Sequence, residues 1–300
     1  MSYRLLGLIA LQCSIAACGG GGTAQSCVHD DDCASHFCKA DGTCAAADSD
    51  AGATADAAPQ RDGASGLCAP NHDGHITASE VPLVAGQHAT FRIATMATID
   101  TAGTANPDGS RAWDLSVALA NDADTMVALT SPAGAWWQPD FAAASYATVL
   151  ASGSDLAGVF HAEPDGVTLL GVVSPAAGSF KTELTYDPPA KILALPMAAG
   201  DTWTSTSTVT GTAQGAFTTY TEKYTSRVDQ VGTMKTPYGT FPVVRVATDL
   251  LRTSGFATLA SSRSFAWVAE CFGTIATITS NNLESGSEFT SAAEVRRLAP

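Results

Sequence analysis

From Leu67 onward, apolar and polar residues alternate with a period of two, the pattern of strands that bury one face. Trp113, Leu115, Val117 and Leu119 alternate with Asp114, Ser116 and Ala118. Tyr220, Glu222, Tyr224, Ser226 and Val228 alternate with Thr221, Lys223, Thr225 and Arg227, with the inward side left open by the pattern. Further strands are predicted at Thr90–Thr98, Met126–Thr130, Val167–Val173, Lys191–Pro196, Thr202–Thr210, Phe241–Thr248, Ser262–Ala269 and Thr274–Ser280. Thr and Ser crowd the strand around Trp203, and β-branched Thr suits a pleated, half-solvated surface. Asp165-Gly166, Ala199-Gly200 and Pro237-Tyr238-Gly239 punctuate the runs at hairpin spacing. Helical periodicity is scarce, and only Ser291–Leu298 reads as either a short helix or a closing strand. Residues 67–300 are therefore expected to form an all-β, or β-dominated, domain of about 230 residues, a curved antiparallel sheet, sandwich or partly open barrel.

The first 66 residues follow a different logic. Arg4 precedes a mostly apolar run from Leu5 to Ala17, too short for the roughly 20 residues that cross a bilayer and fitting a signal peptide over 1–17. The run ends Ile15-Ala16-Ala17-Cys18, which resembles the lipobox of bacterial lipoproteins. That resemblance implies lipidation of Cys18 and a membrane partner held through the acyl chains. With Gly19 following in place of the Asp that marks inner-membrane retention, it also implies the outer membrane, on either its periplasmic or its cell-surface face. Residues 18–26, with GGGGTAQS after the cysteine, read as a flexible tether. Residues 45–66 hold nine Ala, four Asp and no aromatic or branched aliphatic side chain, a linker that cannot offset its own ordering entropy.

Between tether and linker, residues 27–44 carry Cys27, Cys33, Cys38 and Cys44. So short a stretch has no room for a core and is expected to be stapled by disulfides. Its gaps of five, four and five residues do not fit the two-residue gaps of a zinc site with His29 and His36. Spacing alone leaves the pairing open. Resemblance to small disulfide modules of secreted bacterial proteins implies Cys27 with Cys38 and Cys33 with Cys44. Cys68 and Cys271 are expected to pair with each other, tying the entry of the β-domain to a strand near its end.

Charge narrows the functional classes. The chain has 15 Lys and Arg against 29 Asp and Glu, a net charge of −14. Nucleic acid is excluded as a partner, because phosphates require clustered basic side chains. The stretches YDPPAKILALPMAAGDTW, TPYGTFPVVRV and FAWVAECFGTIATI resemble a recurring, uncharacterised bacterial periplasmic β-domain over Tyr186–Ser280. That resemblance implies a sheet able to cradle an apolar ligand.

Catalytic motifs are missing: there is no Gly-x-Ser-x-Gly elbow, His-Glu-x-x-His, phosphate loop or dinucleotide fingerprint. His161, Glu163 and Asp165 are spaced as an acid–base cluster, but Pro164 and Asp165-Gly166 make the stretch read as a solvated turn. Trp136 and Trp137 are candidate ligand contacts, since adjacent strand residues face opposite sides. Ala69–Glu80 resembles the 12-residue EF-hand loop, with Asn71, Asp73, His75, Thr77 and Glu80 at ligand positions and Gly74 at the sharp turn. Ala69 supplies no oxygen at the first position and Pro82 ends the exiting helix, so a vestigial structural turn is expected ahead of weak calcium binding. No other cofactor is implied. The expected function is a non-catalytic cell-envelope lipoprotein that binds an apolar ligand or an envelope protein, with a hydrolase-like enzyme as the alternative.

Overall fold

Alternating Thr, Val and aromatic residues build four long consecutive strands: β11 (Thr202–Ala213), β12 (Ala216–Lys235), β13 (Thr240–Ser254) and β14 (Ala257–Ala269). Each is joined to the next by a tight turn. A computed structural model describes residues 68–300. Before this meander come β1 (His75–Ile76), β2 (His88–Thr98), β3 (Thr104–Ala105), β4 (Arg111–Asp114), β5 (Ala123–Ala128), β6 (Tyr146–Val149), β7 (Ala157–Glu163), β8 (Gly166–Val173), β9 (Glu183–Ala194) and β10 (Met197–Ala198). After it come β15 (Gly273–Ser280) and β16 (Ser291–Leu298).

The main sheet runs in the order β5, β2, β16, β15, β14, β13, β12, β11, β9, β8, β7, β6, antiparallel throughout. Its two ends meet where Thr130 and Ala147 exchange backbone hydrogen bonds of 2.8 and 2.9 Å, so the sheet is a nearly closed barrel. Closure removes the exposed edges that an open sheet would leave. Along β12 beyond Arg227, the partner of the first residue of β11, β4 takes the place beside it, running parallel from Gly232↔Arg111 to Lys235↔Asp114. Gly232 is required there, because a Cβ would lie 1.8 Å from the Arg111 carbonyl oxygen.

The two faces of the sheet carry separate cores. Inside, Val228, Val244, Val246 and Val268 pack with Ile76, Val81 and Met197, so the β1–β10 pair plugs one end. Tyr146, Phe160, Leu184, Tyr186 and Val209 continue the inner core. Outside, Trp113 of β4, with Leu115 and Phe289 from the flanking loops, covers Phe265 and Trp267 of β14. The tryptophans Trp113 and Trp267 meet edge to face at 5.6 Å. Cys68 and Cys271 form a disulfide with Cα atoms 5.4 Å apart, fastening the entry of the domain to the β14–β15 turn. Beside it the Cys271 N–H donates to the Glu80 carbonyl at 2.8 Å.

The all-β expectation holds, and its details change at four places. The run from Trp113 to Leu119 is not one strand: β4 stops at Asp114, whose Oδ1 accepts the Ser116 N–H at 3.0 Å and its hydroxyl at 2.6 Å. That local turn outcompetes the ladder, and Val117 is left exposed. Ser291–Leu298 is a strand. The Tyr220 run belongs to a 20-residue strand with a bulge between Val228 and Gln230, and its inward side is Tyr220, Glu222, Tyr224, Ser226 and Val228. His161 and Glu163 lie on β7, and only the residues after them turn. Residues 1–67, with Cys18, the four cysteines Cys27, Cys33, Cys38 and Cys44, the tether and the linker, lie outside the described residues.

Candidate functional site

Four neighbouring strands floor a cleft of about 430 Å³ on the outer face of the sheet. The register places two cross-strand rows there. One runs Thr204, Thr225, Asp249, Arg263; the other starts Thr202, Arg227, Ala247. Ser287, on the loop between β15 and β16, closes the far side. Two arginines hold that loop. Arg263 donates to the Gly286 carbonyl, and Arg245 donates to Glu288 at 2.6 and 3.2 Å.

Arg245 is the post on which this region stands. Its side chain is buried, and it also donates to both oxygens of Asp229, at 3.0 and 2.7 Å, and to the Thr101 carbonyl at 2.7 Å. Its guanidinium lies 4.2 Å from the Phe265 ring centroid. Burial alone would drive a proton off Arg245, but Asp229 and Glu288 outweigh it and hold its pKa above the ordinary arginine value.

The charges that line the cleft cancel. Arg227 lies 3.8 Å from Asp229, and Arg263 Nε lies 2.6 Å from Asp249. Both carboxylates face guanidinium groups, and no histidine or cysteine lines the walls. Thr202, Thr204 and Thr225 present hydroxyls that make no hydrogen bond to another described residue. The chemistry offered is recognition of an uncharged molecule that carries both polar groups and apolar faces, since Trp203 and Ala247 line the cleft beside the hydroxyls and balanced ion pairs. Cleft volume falls in the range of small-molecule sites.

A second cluster lines the inner face. Glu222 is fully buried, and its Oε2 accepts the hydroxyls of Tyr186 at 2.9 Å and Tyr224 at 2.5 Å. Its Oε1 accepts Arg252 Nε at 2.8 Å. Arg252 in turn stacks on Tyr220, 4.6 Å from its ring centroid. Burial, reinforced by the Glu222 charge, raises the pKa of Tyr186 and Tyr224 far above the ordinary phenol value. The phenols stay protonated as donors, so this cluster is a saturated internal network with no general base.

A third grouping joins residues distant in sequence. Ser145 Oγ lies 3.3 Å from His161 Nδ1, and His161 Nε2 lies 3.0 Å from Glu163 Oε1. The i, i+2 spacing of His161 and Glu163 puts both on one side of β7. Ser145 enters from the residue before β6. Asp165 takes no part and pairs with Lys191 at 2.6 Å.

The residues singled out from sequence have other roles. Trp136 and Trp137 lie on a turn and not on a strand. Trp137 is buried against Phe141, Val159 and Val173. Trp136 donates its indole N–H to the Ser174 carbonyl at 3.1 Å and is covered by Lys181 Nζ, 4.2 Å from its ring centroid. In the EF-hand-like loop, Asn71 Oδ1 accepts the Asp73 N–H and Asp73 Oδ1 accepts the His75 N–H, at 3.0 and 2.8 Å. Glu80 Oε2 accepts the backbone N–H and the hydroxyl of Thr77, both at 2.8 Å, as the capping box of a short 3-10 turn. Among the described residues no three His, Cys, Asp or Glu side chains gather in a metal-holding group. None of the cleft residues or Ser145 was marked by a sequence motif, because cross-strand register brings them together.

No protein-family model matches the chain, and no curated protein matches it. Among solved structures, the chain is similar to a Bacteroides fragilis protein described as a candidate exported protein with a YmcC-like fold. Identity is 10%, covering 72% of this chain and 96% of that one, with a TM-score of 0.25. A likeness of that size carries no argument about fold, location or function.

Proposed function

We propose that the chain is a cell-envelope lipoprotein, anchored in the outer membrane through acyl chains on Cys18, whose β-domain binds a small polar ligand in the outer cleft without transforming it. The carrying observation is the cleft itself, a built concavity whose floor and far wall are pinned by Arg245 and Arg263 and whose charges are paired. The hydroxyls and paired charges among those walls favour a ligand with polar groups as well as apolar faces over the wholly apolar one expected from sequence. The lipobox supports the anchor, and the composition of 19–66 supports a tethered domain. Thr225 sits centrally in the floor, so Thr225→Trp should fill the cleft while leaving the strand intact. Thermal shift of the full chain against a panel of glucose, glycerol and neutral amino acids should show stabilisation by at least one compound in wild type and none in Thr225→Trp. Equal shifts in both proteins would rule the cleft out. For the anchor, Cys18→Ser should move the protein from the detergent-extracted membrane fraction to the soluble fraction. Mass spectrometry of the mature N-terminal peptide should find acyl groups on Cys18 in wild type.

The Ser145, His161 and Glu163 geometry favours a second reading, that of a hydrolase acting on small esters. One tautomer satisfies the whole chain: Nδ1 accepts from the Ser145 hydroxyl while Nε2–H donates to Glu163. Ser145 would add to an acyl carbon as its proton passes to His161, which returns it to the departing alcohol; water then releases the acid by the same route. A fluorophosphonate probe decides this reading. Labelling lost in Ser145→Ala supports it, and an unlabelled wild-type protein removes it.

A further inference from the structure

Along β11, Thr occupies every second position from Thr202 to Thr212, six in succession. All six side chains fall on the outer face, the face of the cleft; Thr202, Thr204, Thr206 and Thr208 are exposed, and Thr210 and Thr212 are half-buried. Across the ladder, Thr204 stands opposite Thr225, Thr208 opposite Thr221 and Thr210 opposite Thr219. None of these nine hydroxyls makes a hydrogen bond to another described residue, although each combines a donor with two acceptor lone pairs. The row spans about 33 Å at strand rise. Its first two members are cleft residues, so the hydroxyl row begins inside the concavity and runs out of it.

The geometry points to an extended, neutral, polyhydroxylated chain as the ligand, a glycan whose end sits in the cleft and whose following rings lie along the threonine row. This inference rests on the cleft reading above and extends it. Two observations select the class. The cleft presents opposite charges in equal number, Arg227 and Arg263 against Asp229 and Asp249, so neither an anion nor a cation is favoured. The row presents hydroxyls and methyls side by side along its length, the two kinds of contact that the hydroxyls and the apolar C–H faces of a sugar take up. Lys223 stands opposite Thr206 on β12 and Asp187 opposite Thr208 on β9, one charge of each sign, while Glu183, opposite Thr212, is paired with Lys181 at 2.7 Å.

Calorimetric titration of the full chain with maltohexaose, chitohexaose and glucose tests the inference. A hexasaccharide should bind at least tenfold more tightly than glucose. The triple variant Thr206→Val, Thr208→Val and Thr210→Val keeps shape and strand propensity while deleting three hydroxyls outside the cleft. It should lose at least tenfold in hexasaccharide affinity and leave any glucose affinity unchanged. Circular dichroism and the melting temperature of the variant should match wild type. Equal affinity for glucose and both hexasaccharides, or an unaffected triple variant, overturns the extended ligand while the cleft reading stands. Absence of binding to all three sugars, alongside stabilisation by another compound of the polar panel, overturns the glycan class alone. Stronger binding of oligogalacturonate than of either neutral oligomer overturns the choice of an uncharged ligand.

Discussion

Two buried charged groups do opposite things at the residue scale. Arg245 is a joint: β13, the bulged segment of β12 and both covering loops meet on one guanidinium. Arg245→Ala leaves Asp229, 7% exposed at its side chain, without its main partner. The expected cost is about 3–5 kcal/mol in denaturant unfolding, the range for breaking a buried pair. Glu222 instead closes a network, accepting the hydroxyls of Tyr186 and Tyr224 and pairing with Arg252. Tyr146, Tyr186, Tyr220 and Tyr224 all have pKa values raised chiefly by burial. A phenol whose folded pKa lies above its unfolded value stabilises the fold fully below the unfolded value of about 10. The stability is lost as pH climbs past that point, because only the unfolded chain then ionises. Tyrosinate absorbance from these four residues should therefore appear together with the loss of near-ultraviolet circular dichroism. Their titration in the folded state near pH 10 would contradict the buried network. Sequence showed the Tyr–Glu–Tyr alternation but not its inward sense, since a buried glutamate is legible only once Tyr186 and Arg252 stand beside it.

Among the elements, the strands were easy to read and their ends were not. Period-two alternation marks strands wherever one face is buried, which covers most of β9 to β15, while β8, buried on both faces, was legible as a short run of Val and Leu bounded by a turn. It fails where side chains make local turns, as Asp114 and Ser116 do. It also fails for β6 and β7, where small and aromatic residues such as Ala147, Gly158 and Phe160 are buried on both faces and leave no alternation. The EF-hand-like loop shows a motif absorbed by another use, its Glu80 carboxylate turned to the capping box. Adding several millimolar calcium should leave the melting temperature unchanged. Glu80→Ala should cost about 1 kcal/mol, typical of a lost cap, with or without the ion. A calcium-dependent rise in wild type, absent in Glu80→Ala, would restore the metal reading. The Cys68–Cys271 bridge joins residues 203 apart. Reduction is expected to destabilise the domain by about 2–5 kcal/mol, as a drop in unfolding midpoint without loss of strand signal at room temperature.

For the whole molecule, the fold class was legible because composition and punctuation allow little else, and the near-closure of the barrel was not. Closure depends on one pair of backbone hydrogen bonds between Thr130 and Ala147, which no side-chain pattern encodes. The candidate site shares that character. Its residues come from four strands and a loop, and the only part visible along the chain is the Thr-x-Thr row, which by itself reads as ordinary strand surface. The central claim is that ligand is held on the outer face at that row and its cleft. Hydrogen exchange of the full chain, read by mass spectrometry with and without saturating maltohexaose or chitohexaose, locates the contact directly. The account predicts added protection in peptides covering 202–213, 216–227 and 284–288. Protection confined to the Trp136 and Trp137 turn, to the inner cluster around Glu222, or to no segment would contradict it.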